Sequence, residues 1–196
     1  MTDAPSHDTL LASSRQQYSV SGPRRVRDTI GAMALAIGFD ELLRYTTEER
    51  DKWRAWFLRH PAAMEAPVQP GGRFPAVGKL IDHIFLVERR HLQRLRGEAP
   101  SSETGLSGSN ASPLFDYGAS VRRELEQFAR TLDEDEADEV RTVEVGDRQW
   151  PMTPRKLLFH ILLHETRHWA QIALAVRLAG FEPPGNHDLF YSQALR

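Results

Sequence analysis

The sequence predicts an all-α fold, a four-helix bundle with a small β-hairpin before its last helix. Three observations predict it. Four stretches of about twenty residues each place apolar side chains at helical spacing. The segments between them gather Gly, Pro and Ser, and one short alternating run turns around Gly146 and Asp147. With 196 residues, 40% of them hydrophobic, the chain can bury one sizeable core and falls short of two domains.

Residues 1–37 hold Ser, Asp, Gly and Pro among few large apolar groups and are expected to form a flexible tail, leaving 38–196 as the bundle. Arg24, Arg25 and Arg27 precede the apolar run IGAMALAIGF, an order that imitates a signal sequence. The basic region begins too deep in the chain, however. The run is also short and leads directly into FDELLRYTTEERDKW, an amphipathic pattern without a cleavage site. It is too short to span a membrane. Met33 is a candidate for the native start.

The first helix is expected from about Asp40 to His60, ended by Pro61, with Leu42, Leu43, Tyr45, Trp53, Trp56 and Phe57 on its apolar side. The loop PVQPGGRFP leads to a second helix from Pro75 to Arg96. There Leu80, Ile84, Val87, His91 and Leu95 share a stripe, His83 stands at its edge, and Gly97 ends the helix. SSETGLSGSNAS reads as a flexible connection to a third helix, Ser112 to Leu132, built on Leu114, Tyr117, Val121, Leu125 and Phe128. The six acids between Asp133 and Glu139 lack the glycine and spacing of a calcium loop and are expected to be a solvated loop. VRTVEVGDRQWPM is the hairpin.

The last helix opens with Thr153 as N-cap and Pro154 at the first position, and closes before Gly180, Pro183 and Pro184. Its stripe Leu157, Ile161, His164, His168, Ile172, Ala175, Ala179 puts two histidines where apolar residues are expected. His160, His164 and His168 recur every four residues, on one face of the helix and close enough to share an ion. Two adjacent imidazoles in an apolar stripe are satisfied most economically by a common cation. In a bundle the third ligand comes from a facing helix, and spacing alone leaves His83 and His91 both open.

The formal net charge of −2 supplies no positive surface for nucleic acid or an anionic membrane, so neither is expected as a partner. The lack of cysteine excludes disulfides, thiolate ligands and a cysteine nucleophile, so any metal is held by nitrogen and oxygen. The expected compartment is the cytoplasm.

LIDHIFLVERRHL in the second helix and FHILLHETRHWAQI in the last resemble the DinB-like family of four-helix-bundle metal proteins. The resemblance runs from about Asp40 to Arg196 and includes the helix order, the hairpin and the GFEPP exit followed by Asp188. It implies metal ligands at His83, His164 and His168, a glutamate at Glu88 and a glutamine at Gln171. His91 and His160 are then packing residues or partners of a ligand, and Trp169-Ala170 departs from the family's frequent Arg-Gly. Glu88 reads equally as a group orienting a metal histidine or as half of a surface ion pair. Trp53, Trp56, Trp150 and Trp169 read as core.

Three neutral imidazoles leave a coordination position open on a divalent ion such as zinc, nickel or iron. The resemblance implies a metal-dependent transferase or hydrolase acting on a small molecule, with a low-molecular-weight thiol as cosubstrate. The competing reading is a non-enzymatic, stress-associated metal or small-molecule binder. HETRH also matches the zinc-hydrolase pattern HExxH, in which Glu165 would be the general base. The resemblance also implies a homodimer as one candidate assembly; apolar faces of the first and third helices could serve as its contact, and the sequence does not separate such a face from core.

Overall fold

A computed structural model describes residues 36–69 and 72–195. The expected tail lies outside them but for its last two residues, and so does Met33. Helix α1 spans Phe39–Arg59, α2 Val77–Leu95 and α3 Ala111–Ala129. A short α4, Glu134–Asp138, then leads to an antiparallel hairpin of β1, Arg141–Val145, and β2, Arg148–Met152. The last helix, α5, runs Pro154–Leu178. Each long helix packs on two others in the cyclic order α1, α3, α2, α5.

The ends of these helices follow local chemistry. Thr153 accepts a hydrogen bond from the Lys156 backbone N–H, as an N-cap should, with Pro154 behind it. Asn110 caps α3 by accepting from Ser112, so the helix starts one residue earlier than expected. Ala76 is still extended, which delays α2 to Val77. The acidic run is not a plain loop. Asp133 and Glu136 form a capping box that turns Glu134–Asp138 into a short exposed helix, and Arg155 of α5 pairs with Asp138. The hairpin turns at Gly146, whose φ of 65° suits glycine.

The expected flexible connection between α2 and α3 is bonded along α2. Gln93 exchanges hydrogen bonds with Ser101, Arg90 donates to the Ser101 and Ser102 carbonyls, and Thr104 donates to Asp82. Its Gly108 comes so close to Gly78 that a Cβ at Gly78 would meet the Gly108 oxygen at 1.8 Å.

The core has two apolar clusters. One gathers Trp53, Phe57, Phe85, Phe115 and Trp169. The other gathers Leu43, Leu92, Leu125, Leu157, Ile161 and Leu162. Between them, at the middle of every long helix, lies a buried charged residue: Arg50 on α1, Glu88 on α2, Arg122 on α3 and Glu165 on α5. Outside, the exposed large apolar side chains of the long helices are Leu58 on α1 and Leu163, Leu174 and Leu178 on α5. Of the long helices α5 thus carries most of the exposed large apolar side chains, and others stand on the hairpin and in the segment after α5. Among the described residues no helix is long and apolar enough to cross a membrane.

Candidate metal centre

The buried positions of α5 are Pro154, Leu157, Leu158, Ile161, Leu162, Glu165, Trp169, Ile172, Ala175 and Val176. Of the stripe expected from the sequence, Leu157, Ile161, Ile172 and Ala175 are buried, whereas His164 and His168 are half-buried at its edge and Ala179 is exposed, so the core face overlaps the stripe but is centred to one side of it, toward Glu165 and Trp169. The charge on Glu165 disguised the core position it occupies, and each residue step turns the face by 100°.

The edge position gives the histidines their use. α2 brings His83 against them, and one ring nitrogen from each of His83, His164 and His168 lies within 4.8 Å of the others. Ring centroids of His83 are 5.2 Å from both His164 and His168. The Nε2 atoms of His164 and His168 are 3.1 Å apart. Two imidazoles bound ~2.1 Å from one ion at about a right angle have this spacing. His168 Nδ1 donates to Gln171 Oε1 at 2.6 Å, which fixes the tautomer and leaves Nε2 as the ligand atom. Phe74 walls the group, its ring 4.6 Å from that of His83.

Electrostatics keep these rings in the neutral, metal-binding form. Burial, aided by the His168 ring and Arg73, lowers the His83 pKa to about 4. Burial and the neighbouring imidazoles lower that of His164 to about 3. His168 is lowered too, by burial, against the opposing hydrogen bond to Gln171. The donor set and its spacing fit a divalent cation, and the three histidines could hold one.

Glu88 takes neither role expected of it. Its carboxylate accepts from Arg50 Nη2 at 2.6 Å and Arg122 Nε at 2.7 Å, buried in the core rather than on the surface or beside a histidine. Glu165 accepts from Arg50 Nε at 2.9 Å and Nη2 at 2.8 Å, from Trp169 Nε1 at 3.0 Å and from Arg122 Nη2. Burial would raise its pKa, yet the two guanidiniums hold it down to about 2. A carboxylate so engaged, on the core side of α5, is a poor general base. The zinc-hydrolase role expected for Glu165 under HExxH is therefore disfavoured by the geometry. Sequence reasoning missed Arg50 and Arg122. The available signal was that each interrupts an apolar stripe, Arg50 between Leu43 and Phe57 and Arg122 between Leu114 and Leu125.

The remaining histidines separate by place. His91 is buried and its ring lies 5.3 Å from that of His160, one step beyond His164 along the same seam. Neither belongs to the converging trio. His60 packs on Trp56, and His187 Nδ1 donates to Glu49 Oε2 at 2.8 Å across the other flank of α5. His7 lies outside the described residues. That other flank also holds a cavity of about 320 Å³ lined by Tyr45, Glu49, Thr166, Trp169, His187 and Asp188, away from the three histidines. Trp53, Trp56 and Trp169 are core as expected, whereas Trp150 on β2 is exposed.

The comparison with curated proteins gives no match to this chain. The model of the DinB family matches residues 33–194, a span that includes all four long helices, the hairpin and the three converging histidines, and the chain belongs to the DinB family.

Proposed function

We propose that this protein is a metal-dependent transferase or hydrolase acting on a small molecule, with a low-molecular-weight thiol as cosubstrate and zinc, nickel or ferrous iron at His83, His164 and His168. The observation that carries the reading is the convergence of three neutral imidazoles from two helices, with one tautomer fixed by Gln171. A histidine-only set leaves positions open for water or substrate, the arrangement of a reactive rather than a purely structural site. The ion would supply Lewis acidity and lower the pKa of a coordinated water or thiol.

The chain's own groups prepare this chemistry. Gln171 holds the His168 ring in orientation, Phe74 shields the His83 side from solvent, and burial keeps the rings unprotonated at neutral pH. Glu165 is withheld by its arginines, whereas Asp82, beside His83 in the sequence, accepts only a hydroxyl hydrogen bond from Thr104. Proton transfer therefore falls to the substrate, solvent, Asp82 or histidines beyond the trio.

Elemental analysis of the purified protein beside His83→Ala, His164→Ala and His168→Ala tests the reading. About one divalent ion per chain is expected, lost from each variant while its helical circular dichroism is unchanged. A protein that cannot be loaded, or variants that keep their ion, would overturn it. Water relaxation on the loaded protein separates enzyme from passive binder: an ion with no exchangeable water would favour a closed site.

A further inference from the structure

The flank of α5 away from the histidines carries an enclosed space of its own. At about 100° per residue, Thr166, Ala170 and Ala173 stand roughly 180° to 240° around the helix from His164, and His168 about 40°. Those three and Trp169 form one wall of the cavity of about 320 Å³ noted above. Tyr45 and Glu49 of α1 form a second wall, and His187 and Asp188 of the terminal segment close it. That segment is tied to α1 at several points. The Tyr45 hydroxyl donates to the His187 carbonyl at 2.9 Å, Lys52 to the Asn186 carbonyl at 2.7 Å and Arg44 to the Ala194 carbonyl at 2.8 Å. The volume is at the lower end of the range for small-molecule sites.

Every side-chain donor on these walls is already committed. The Tyr45 hydroxyl hydrogen goes to the His187 carbonyl, and the Thr166 hydroxyl donates to the Leu162 carbonyl at 3.0 Å. Trp169 Nε1 donates to Glu165 at 3.0 Å, and His187 Nδ1 to Glu49 Oε2 at 2.8 Å. His187 Nε2 is buried without a partner among the described residues. A protonated ring would strand an N–H there, so the neutral tautomer holds and Nε2 is an acceptor. Trp53, whose indole N–H is also buried without an acceptor, stacks on His187 and does not line the cavity. What the side chains offer an occupant is lone pairs: the Tyr45 and Thr166 oxygens and the carboxylates of Glu49 and Asp188.

The charges have the same sense. Among the described residues no lysine or arginine lines the cavity. Lys52 meets Glu49 Oε1 at 2.7 Å and offsets that carboxylate, and Arg44 is taken up by its carbonyl. Asp188 makes no ion pair among the described residues, so its negative charge is uncompensated. Both carboxylates act on the cavity wall: after burial itself, Glu49 and Asp188 raise the Tyr45 pKa and keep its hydroxyl protonated. The rest of the lining is apolar. Trp169 is stacked between Trp53 at 5.5 Å and Phe115 at 6.1 Å, with planes at 14° and 13°, so both its faces are covered and its edge is left to the cavity beside Ala170 and Ala173.

We propose that this cavity is a binding site for a small organic cation, an ammonium or amidinium whose N–H groups meet Asp188, Glu49 and the Tyr45 oxygen while its apolar body lies along Trp169, Ala170 and Ala173. An ammonium brings three donors and a positive charge, the two things that these side chains lack. An anion would face two carboxylates with no donor to receive it, and a neutral apolar molecule would desolvate those carboxylates without return. The site is separate from the three histidines and does not depend on a metal there.

Calorimetric titration of the purified full chain with benzylamine, benzyl alcohol and benzoate tests this, because the three share a ring and differ in charge. Benzylamine is expected to bind on the order of tenfold more tightly than the alcohol, and benzoate weakest. Asp188→Asn, at an exposed position, should weaken benzylamine on the order of tenfold and leave the alcohol unchanged. Ala173→Leu fills the cavity and should abolish benzylamine binding while the helical circular dichroism is kept. Ala170→Leu, at an exposed position of α5, makes the same test if Ala173→Leu does not fold. Equal affinity for the three probes, or no saturable benzylamine binding up to about 10 mM, overturns the proposal. So does benzylamine affinity that is unchanged in Asp188→Asn or in a folded leucine variant, since the amine would then be bound elsewhere.

Discussion

At the scale of single residues, the decisive feature is that Arg50, Glu88, Arg122 and Glu165 compensate one another inside the bundle. Two carboxylates receive hydrogen bonds from both guanidiniums, and Arg50 Nη1 and Arg122 Nη1 are used up by the Gly118 carbonyl and the Thr46 hydroxyl. Removing one charge from such a group strands its partners without water. Glu165→Gln is therefore expected to lower the unfolding free energy by about 3–5 kcal/mol, whereas Asp138→Asn, which breaks the exposed pair with Arg155, should cost under about 1 kcal/mol. Urea denaturation of both variants checks the contrast, and equal losses would mean that the buried group is not held as described. These four side chains were the least legible part of the sequence. A charged residue in an amphipathic pattern reads as surface, and its true place depends on partners 34 to 115 positions away.

At the scale of elements, most boundaries were legible because they are set by neighbours in the chain. Thr153 and Pro154 start α5, and the Gly146 turn sets the hairpin register, as their residue types require. The acidic helix α4 was read as a loop because its capping box was hidden among like charges. What no local pattern reveals is the approach of Gly108 to Gly78, which lets the chain cross the start of α2 and fixes the strand of residues that holds Arg90. Gly78→Ala forces backbone apart there and is expected to cost about 1–3 kcal/mol by overpacking, with Arg90 displaced as the connection shifts. Thr153→Ala removes only a cap and should cost about 1 kcal/mol without disturbing metal content. Thermal melts with parallel elemental analysis distinguish them. A Gly78→Ala protein as stable as the parent would show that the two segments do not touch.

At the scale of the whole molecule, the bundle stores unprotonated histidines. Burial lowers the pKa of His83 to about 4 and of His91 and His164 to about 3, from an ordinary value of 6.5. The unfolded chain therefore takes up protons below about pH 6.5 that the folded metal-free protein refuses, so its stability is complete above that pH and falls as pH drops toward 4 and 3. Glu165, held down to about 2, adds a second loss as pH falls below its ordinary value of 4.5. The urea midpoint of metal-free protein is expected to decline steadily from pH 7 to pH 5, and a flat profile would contradict the neutral burial of these rings. The sequence by itself determined the helices, the hairpin and the pairing of His164 with His168, because caps, apolar periods and four-residue spacings act within a few residues of chain, while the family and the choice of His83 over His91 came from the resemblance of two motifs. Tertiary structure alone decided that the core face of α5 is centred on Glu165 and Trp169, that Glu88 and Glu165 are locked by arginines from the other two helices, and that His83 meets His164 and His168. These depend on how four helices rotate against one another, which is settled by burial and charge compensation across the whole bundle.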